Sequence, residues 1–182
     1  MAFSKKDAVE IIVAFAVAWV FYQVLAVLTG TGMPLVSVVS DSMLHASSYD
    51  EWWNSKGEYY SGIGISKNDF AEFPAAGGLE CGDLLFVVKD AAPETGDIVI
   101  YSKPGTGYTI VHRVVGINDD GYILKGDNNA APDPLVRRSQ VLGKMVFAMP
   151  LLGAPRLVLY YIEGFVTGRP LNLGGTCSLV RL

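Results

Sequence analysis

The sequence GDLLFVV at residues 82–88 decides the fold, because a Gly-Asp turn stands directly before a run of apolar side chains. The same arrangement returns in GDIVIY at residues 96–101, and a longer apolar run, TIVHRVVGI, covers residues 109–117. A tight-turn pattern at residues 118–121 leads into YIL, and VLGKMVFAM covers residues 141–149. Short strands separated by glycine-rich turns are typical of antiparallel sheets. The sequence therefore predicts a mainly β domain with a largely antiparallel sheet.

An uncharged apolar run, IIVAFAVAWVFYQVLAVLT, covers residues 11–29. At ~1.5 Å rise per residue, about 20 helical residues cross the ~30 Å hydrocarbon core of a bilayer. A buried core helix and a cleaved signal peptide are the alternatives, but the apolar region of a signal peptide has only ~7–15 residues. Lys5 and Lys6 precede the run and the next basic residue is Lys56, so the positive-inside rule places the N-terminus in the cytoplasm. We expect a single-pass membrane protein whose remaining chain lies outside the cytoplasm.

These patterns divide the chain into four parts. They are a cytoplasmic tail at residues 1–7, a transmembrane anchor at 8–30, an extracytoplasmic β-domain at 31–150, and a C-terminal apolar segment with a tail at 151–182. The apolar run at residues 157–166 is interrupted by Glu163 and is short for a membrane span. We expect a short C-terminal helix there, lying on the membrane or on the β-domain, with a second span as the alternative.

Residues 45–82 form an aromatic-rich insertion in the β-domain. Ser48 and Glu51 have the spacing of a capping box, and Gly57 is a typical helix stop, so a short helix is predicted over Tyr49 to Lys56. Aromatic side chains are frequent in the insertion: Trp52, Trp53, Tyr59, Tyr60, Phe70 and Phe73. Two interpretations fit them. The functional one is a patch at the lipid headgroups or a wall of the substrate groove, and the structural one is ordinary packing of a satellite core.

Composition excludes several functions. The chain has 182 residues, 51% of them apolar and 18% charged, with a net charge of −4, so no basic surplus exists to neutralise nucleic-acid phosphates. The two cysteines, Cys81 and Cys177, are far apart and form no metal-binding pair, and their state stays open. The two histidines, His45 and His112, also lack metal-site spacing. We expect no metal and no cofactor.

A Ser-x-Ser arrangement follows a short β-branched run, LVSVV at residues 35–39, in the sequence SDSM at residues 40–43. A serine hydroxyl becomes a nucleophile when a base takes its proton, and the oxyanion that forms needs preorganised donors. Ser42 is the candidate nucleophile. Its backbone N–H and the Ser40 hydroxyl, two residues back on an extended segment and hence on the same face, are candidate oxyanion donors.

The candidate base is His112, in a β-branched run that holds the imidazole rigidly. A histidine of ordinary pKa, ~6.5, is mostly neutral at pH 7. A carboxylate beside it would fix the tautomer, and Asp127 and Asp133 are both candidates. His45 and Asp41 also lie beside the nucleophile, and composition alone does not exclude them as base and orienter. The sequence around Asp127 also fits a plain turn.

The motifs SDSM, TIVHRV and KGDNN, followed by Asp133 and preceded by an N-terminal anchor, resemble those of type I signal peptidases. The similarity is to the archaeal and endoplasmic-reticulum subclass, in which histidine replaces the bacterial lysine base, and it covers roughly residues 33–155. Two departures stand beside the nucleophile. Asp41 occupies a position where many members have glycine, and Leu44-His45 replaces a frequent Glu-Pro.

This resemblance implies a signal-peptidase-like catalytic domain with Ser42 as nucleophile, His112 as general base, and Asp127 and Asp133 as acidic partners. It also implies Ser40 at the oxyanion position. The implied substrates are signal peptides of exported preproteins, cut after small residues at −3 and −1, in a cell or endoplasmic-reticulum-type membrane. The implied partners are those peptides, membrane lipid and the protein-export machinery. The alternatives are a self-cleaving or regulatory serine protease and a single-span β-domain that binds partners.

Overall fold

The computed structural model describes residues 4–89, 92–104, 108–167 and Cys177. The helices are α1 (Lys5–Thr29), α2 (Tyr49–Gly62), α3 (Lys67–Ala71) and α4 (Ala154–Thr167). The strands are β1 (Leu35–Ser37), β2 (Leu84–Val88), β3 (Ile98–Ser102), β4 (Thr109–Asn118), β5 (Gly121–Lys125), β6 (Val136–Arg137) and β7 (Val141–Met149). A single 3₁₀ turn, Arg138–Gln140, separates β6 from β7.

The seven strands form one sheet in the order β1-β2-β7-β3-β4-β5-β6, and every neighbouring pair is antiparallel. The predicted fold class, a mainly β domain with an N-terminal apolar helix and a short C-terminal helix, is confirmed. Alternate side chains of β2 enter the core, where Leu85 and Val87 are fully buried. Burial on one side of the strand fixes the strand register, because a slip by one residue would expose both side chains.

The two Gly-Asp pairs end matching turns. In each turn the aspartate carboxylate accepts a hydrogen bond from the backbone N–H of the glutamate three residues earlier, Glu80 for Asp83 and Glu94 for Asp97. The glycine between them has a positive φ, 89° at Gly82 and 99° at Gly96, which a side chain would strain. The repeated turn therefore explains why both pairs stand directly before strands.

Helix α1 starts six residues before the uncharged run, because Ser4 and Asp7 form a capping box. It ends at Gly30, which has a left-handed φ of 68°. Apart from Thr29, which is buried at its end, its side chains are exposed or partly exposed, and its length and hydropathy suit a membrane span. The Lys89 backbone N–H donates to the Thr29 carbonyl at 2.8 Å, so the end of α1 is fastened directly to the end of β2.

Helix α2 runs to Gly62, so the predicted stop at Gly57 is wrong. Gly57 is buried mid-helix, where a β-carbon would lie 2.5 Å from the Trp53 ring. The glycine thus makes room for an indole rather than ending the helix. The aromatic side chains of the insertion pack together as a satellite core in which Trp52, Tyr60 and Phe70 are buried. Of the two interpretations of these aromatics, the structure shows internal packing.

A disulfide joins Cys81 to Cys177, 96 residues later in the chain. Residue Gly82, next to Cys81, also receives the start of α4, because the Gly153 backbone N–H donates to the Gly82 carbonyl at 2.8 Å. The Ser37 hydroxyl donates to the Gly153 carbonyl at 2.9 Å. The turn before β2 therefore holds both the beginning of α4 and the residue Cys177 that follows it.

Candidate active site

A groove of about 520 Å³ runs between the segment that follows β1 and the first half of β4. Its walls include Val36 and Val38 on one side and Ile110 on the other, and Ser40, Ser42 and His112 contribute its polar groups. The walls are thus largely branched and apolar, and the reactive side chains predicted from sequence lie along the same groove.

His112 lies in β4 and is 4% exposed. Its Nδ1 lies 2.5 Å from the Asp133 carboxylate. An ionised carboxylate can only accept, so Nδ1 carries a proton, and in the neutral imidazole the lone pair is then on Nε2. Burial, and then the Asp133 carboxylate, raises the pKa of the Tyr101 phenol, which also hydrogen-bonds to Asp133. Asp133 therefore holds one tautomer of the imidazole and is itself held by a tyrosine.

The Nε2 of His112 points toward the loop that carries Ser42. A β-carbon built on Gly126 would lie 2.7 Å from His112 Nε2 and 2.8 Å from the Ser42 carbonyl oxygen. Only a glycine leaves this approach open. The same carbonyl accepts a hydrogen bond from the Asn128 backbone N–H at 2.8 Å, which joins the serine loop to the loop after β5.

The hydroxyls of Ser40 and Ser42 lie 3.2 Å apart. Ser42 is 9% exposed and lines the groove. The Asn128 side chain adds a further restraint by donating to the Asp41 carbonyl at 3.1 Å. The backbone on both sides of the Ser42 amide is therefore held by Asn128, which keeps the local donors in place.

Asp127 lies in a different environment from Asp133. It is fully buried, and both of its oxygens accept from Arg113, with a shortest distance of 2.7 Å to Nη2. Tyr60 donates to Oδ1 at 3.0 Å and His45 Nε2 lies 3.2 Å from Oδ2. Burial alone raises the pKa of Asp127, but the Arg113 guanidinium and hydrogen bonds from His45 and Arg113 hold that pKa well below its usual range.

The structure thus separates the two candidate carboxylates. Asp133 contacts the imidazole of His112, whereas the contacts of Asp127 go to Arg113, Tyr60 and His45. His45, the other candidate base, is buried and stacks on Trp52 with ring centroids 3.7 Å apart. Its place is therefore in the network around Asp127.

Arg113 is a site residue that sequence reasoning missed. It is fully buried. Its guanidinium donates to Asp127 and to the backbone carbonyls of Pro74, Ala75 and Gly96. Neighbouring residues of a strand point to opposite faces. The sequence signal for a buried ion pair was an arginine directly after a histidine inside an apolar run. A guanidinium buried in such a run requires a buried carboxylate partner.

Helix α2 supports the same loops from outside. Trp52 stacks on His45, Lys56 donates to the Asn128 carbonyl at 2.9 Å, and Tyr60 donates to Asp127. These three residues are four apart in sequence and so lie on one face of the helix. The insertion therefore braces the loops around Ser42 and Asp127.

Ser42 and His112 line the groove, and Asp133 contacts the imidazole at Nδ1. An alcohol, an imidazole and a carboxylate are the groups that activate a hydroxyl for attack on a carbonyl. Across the part of the chain that is described, no three His, Cys, Asp or Glu side chains gather as a metal site would require. The chemistry that this arrangement can perform is nucleophilic acyl transfer.

An apolar helix long enough to cross a membrane, fastened to an antiparallel sheet that carries this groove, defines the class of protein: an anchored β-domain with the groups that acyl transfer requires. In sequence the chain is similar to the signal peptidase complex catalytic subunit SEC11 of Chaetomium globosum, with 37% identity over 93 residues, 43% of this chain and 54% of the relative. It is also similar to SEC11 of Saccharomyces cerevisiae (strain YJM789), with 28% identity over 139 residues, 73% of this chain and 64% of the relative.

The resemblance to signal peptidases that the motifs indicated is confirmed by these relatives. The chain spans about half to two thirds of the length of the curated relatives that it matches. No family model matches it.

Proposed function

We propose that this chain is a membrane-anchored serine endopeptidase that removes signal peptides from exported preproteins. The observation that carries the proposal is the shared groove of Ser42 and His112, with Asp133 on the far side of the imidazole. The similarity to signal peptidase catalytic subunits supports the same activity and substrate class.

In the proposed mechanism, His112 Nε2 accepts the proton of the Ser42 hydroxyl as the oxygen attacks the scissile carbonyl. Asp133 keeps the proton on Nδ1 and stabilises the imidazolium that forms. The Ser42 backbone N–H and the Ser40 hydroxyl stabilise the oxyanion. His112 then returns the proton to the leaving amine, and a water molecule hydrolyses the acyl-enzyme in the reverse sequence.

Asp127 has a positioning role in this proposal. Its ion pair with Arg113 and its contacts with Tyr60 and His45 fix the loop that contains Gly126 and Asn128. Gly126 leaves room for His112 Nε2, and Asn128 holds the Ser42 carbonyl. Asp127 therefore acts on the reaction through the placement of these neighbours.

Val36, Val38 and Ile110 line the groove, and we expect their branched side chains to admit small substrate side chains at −3 and −1 and to exclude larger ones sterically. We place the N-terminus in the cytoplasm and the β-domain outside it, in a cell or endoplasmic-reticulum-type membrane. The disulfide supports this orientation, because disulfides persist in oxidising compartments. Membrane lipid and the protein-export machinery are the other proposed partners.

The test is cleavage of a preprotein by the full-length chain in lipid vesicles. The Ser42→Ala variant removes the attacking oxygen, and we expect cleavage to be lost while the thermal unfolding temperature stays near that of the wild type. Asp41→Ala is a matched control beside the nucleophile, and we expect it to retain cleavage. Normal processing by Ser42→Ala would rule out the serine mechanism and leave a partner-binding β-domain as the function.

A further inference from the structure

Three consecutive backbone carbonyls in the loop after β5 accept hydrogen bonds from lysine ammonium groups. Lys125 donates to the Gly126 carbonyl at 3.1 Å and to the Asp127 carbonyl at 3.4 Å. Lys56 of α2 donates to the Asn128 carbonyl at 2.9 Å. Burial, and also the charge of Lys56, lowers the pKa of Lys125 to about 8 against the opposing effect of the Asp127 carboxylate. Two like charges are thus held near one stretch of backbone at a cost in repulsion.

Asn128 links this loop to the nucleophile through two hydrogen bonds. Its backbone N–H donates to the Ser42 carbonyl at 2.8 Å, and its side-chain amide donates to the Asp41 carbonyl at 3.1 Å. The Asp41 carbonyl and the Ser42 N–H belong to the same peptide group. A donor on the carbonyl polarises that group and strengthens its N–H as a donor. The Asn128 side chain therefore acts on the peptide group whose N–H is the candidate oxyanion donor.

Lys56 completes the restraint on the backbone of Asn128. The N–H of Asn128 is bonded to Ser42 and its carbonyl to Lys56, so the backbone is held on both sides of the Asn128 Cα. Two such restraints fix the two backbone dihedrals of the residue, and its Cβ then has a fixed direction. That direction decides whether the side-chain amide reaches the Asp41 carbonyl.

Helix α2 fixes the position of the Lys56 ammonium. Trp52, one turn before Lys56, stacks on His45, and Tyr60, one turn after it, donates to Asp127 at 3.0 Å. Residues four apart lie on one face of a helix, and Lys56 is half-buried on that face. Hydrogen bonds from a charged donor are about twice as strong as neutral ones. The bond from Lys56 is therefore a firm connection between α2 and the loop.

We propose that Lys56 is a positioning residue of the oxyanion site and acts through Asn128 on the peptide group that joins Asp41 to Ser42. Its ammonium holds the Asn128 carbonyl, which directs the Asn128 side chain to the Asp41 carbonyl and so strengthens and orients the Ser42 N–H. The aromatic-rich insertion then contributes to the rate of the reaction as well as to packing. This inference rests on the proposed function, because it concerns the same oxyanion site.

The test is a series of variants at residue 56, assayed for preprotein cleavage by the full-length chain in lipid vesicles. Lys56→Met removes the ammonium and keeps the apolar stem, Lys56→Gln keeps a neutral donor, and Lys56→Arg keeps a cationic one. We expect Lys56→Met to lower kcat by about 10–100-fold, less than the loss of an oxyanion donor itself. KM should stay within about twofold, because the oxyanion forms after the substrate is bound. Lys56→Arg should keep kcat within about threefold of the wild type, with Lys56→Gln between the two.

Lys67→Met is the matched control, because it removes the other lysine of the insertion. The Lys67 ammonium lies 2.7 Å from the Asp50 carboxylate, and we expect this variant to keep the wild-type kcat. Thermal unfolding of each variant, followed by circular dichroism, sets an assay temperature at which all of them are folded. A wild-type kcat in both Lys56→Met and Lys56→Gln would overturn the proposal, and so would a loss that appears only in KM.

A double-variant cycle tests whether the effect passes through the Asn128 side chain. Asn128→Ala removes the side-chain amide and keeps the backbone N–H and carbonyl that bond to Ser42 and Lys56. If Lys56 acts through that amide, the variant with both Lys56→Met and Asn128→Ala should be about as slow as Asn128→Ala alone, whereas independent effects multiply. Multiplied losses would refute the path through Asn128.

The wild type separates this inference from the proposed function. A wild type that leaves the preprotein uncut contradicts both. A wild type that cleaves the preprotein, beside a Lys56→Met variant that cleaves it at the same rate, contradicts this inference alone.

Discussion

Separate replacement of Asp133 and Asp127 by asparagine tests the division of labour between the two carboxylates. Asparagine keeps the shape of aspartate and removes its charge. At residue 133 the change takes away the acceptor that holds the His112 Nδ1 proton. At residue 127 it takes away the counter-charge of the buried Arg113. The first change should act directly on the reaction. The second should act chiefly on the fold and only weakly, through the placement of Gly126 and Asn128, on the reaction.

The magnitudes follow from the contacts. With the Asp133 carboxylate gone, the amide can donate to the imidazole and stabilise the wrong tautomer, so the rate should fall by about 10³–10⁴-fold. Loss of the Asp127 charge leaves the Arg113 guanidinium, which is fully buried, without its ion-pair partner. Breaking a buried pair in this way costs about 3–5 kcal/mol. For a domain of this size, that loss lowers the unfolding temperature by roughly 6–20 °C.

Two measurements on each variant separate the effects: preprotein cleavage under single-turnover conditions, and thermal unfolding followed by circular dichroism in detergent. We expect Asp133→Asn to melt within a few degrees of the wild type and to be nearly inactive. Asp127→Asn should melt early and, well below its unfolding temperature, keep its rate within about tenfold of the wild type. The reasoning is refuted if Asp127→Asn is inactive with normal melting while Asp133→Asn cleaves normally.

Three further predictions concern the groove and Lys125, the buried lysine at the end of β5. Ser40→Ala should lower the cleavage rate about 10²–10³-fold with little change in the Michaelis constant, because it removes an oxyanion donor, and an unchanged rate would exclude that role. Gly126→Ala should reduce cleavage strongly, because the new β-carbon would lie under 3 Å from both His112 Nε2 and the Ser42 carbonyl oxygen. Wild-type activity of this variant would show that the loop can move to accommodate the added methyl group. Burial lowers the pKa of Lys125 to about 8, so the folded state binds fewer protons than the unfolded state between pH 8 and the ordinary lysine pKa. The wild type should therefore gain stability relative to Lys125→Met as the pH rises from 8 to 10, and a constant difference in unfolding free energy would contradict the burial cost.

Much of the fold could be predicted from local sequence, because the determining interactions are local. The uncharged run before Gly30 predicts α1, and the Gly-Asp turns predict the starts of β2 and β3. The prediction for α2 failed at Gly57 for a non-local reason. A glycine after a helical pattern usually ends the helix, but here the space that it leaves is filled by the ring of Trp53. Packing of this kind is not visible in residue spacing.

The candidate site was predictable as a set of residue types and not as a set of contacts. Ser42 and His112 stand in recognisable motifs, but Asp127 and Asp133 are equivalent by sequence position. What distinguishes them is the contact of Arg113. Its guanidinium donates to Asp127, whereas Asp133 contacts the imidazole of His112. The disulfide could not be predicted either, because two cysteines 96 residues apart become neighbours only through the tertiary fold.

The attachment of α1 to the sheet has a consequence for substrates. The Thr29 carbonyl is bonded to Lys89 of the strand end, and the Thr31 hydroxyl donates to the Leu142 carbonyl at 3.0 Å, so no free linker separates the anchor from the domain. For the proposed peptidase, this attachment would hold the Ser42 groove at a fixed distance from the membrane surface. We then expect cleavage only at bonds that the substrate's own membrane segment places at that distance, so that spacer length in the substrate, along with side-chain size, governs the choice of bond.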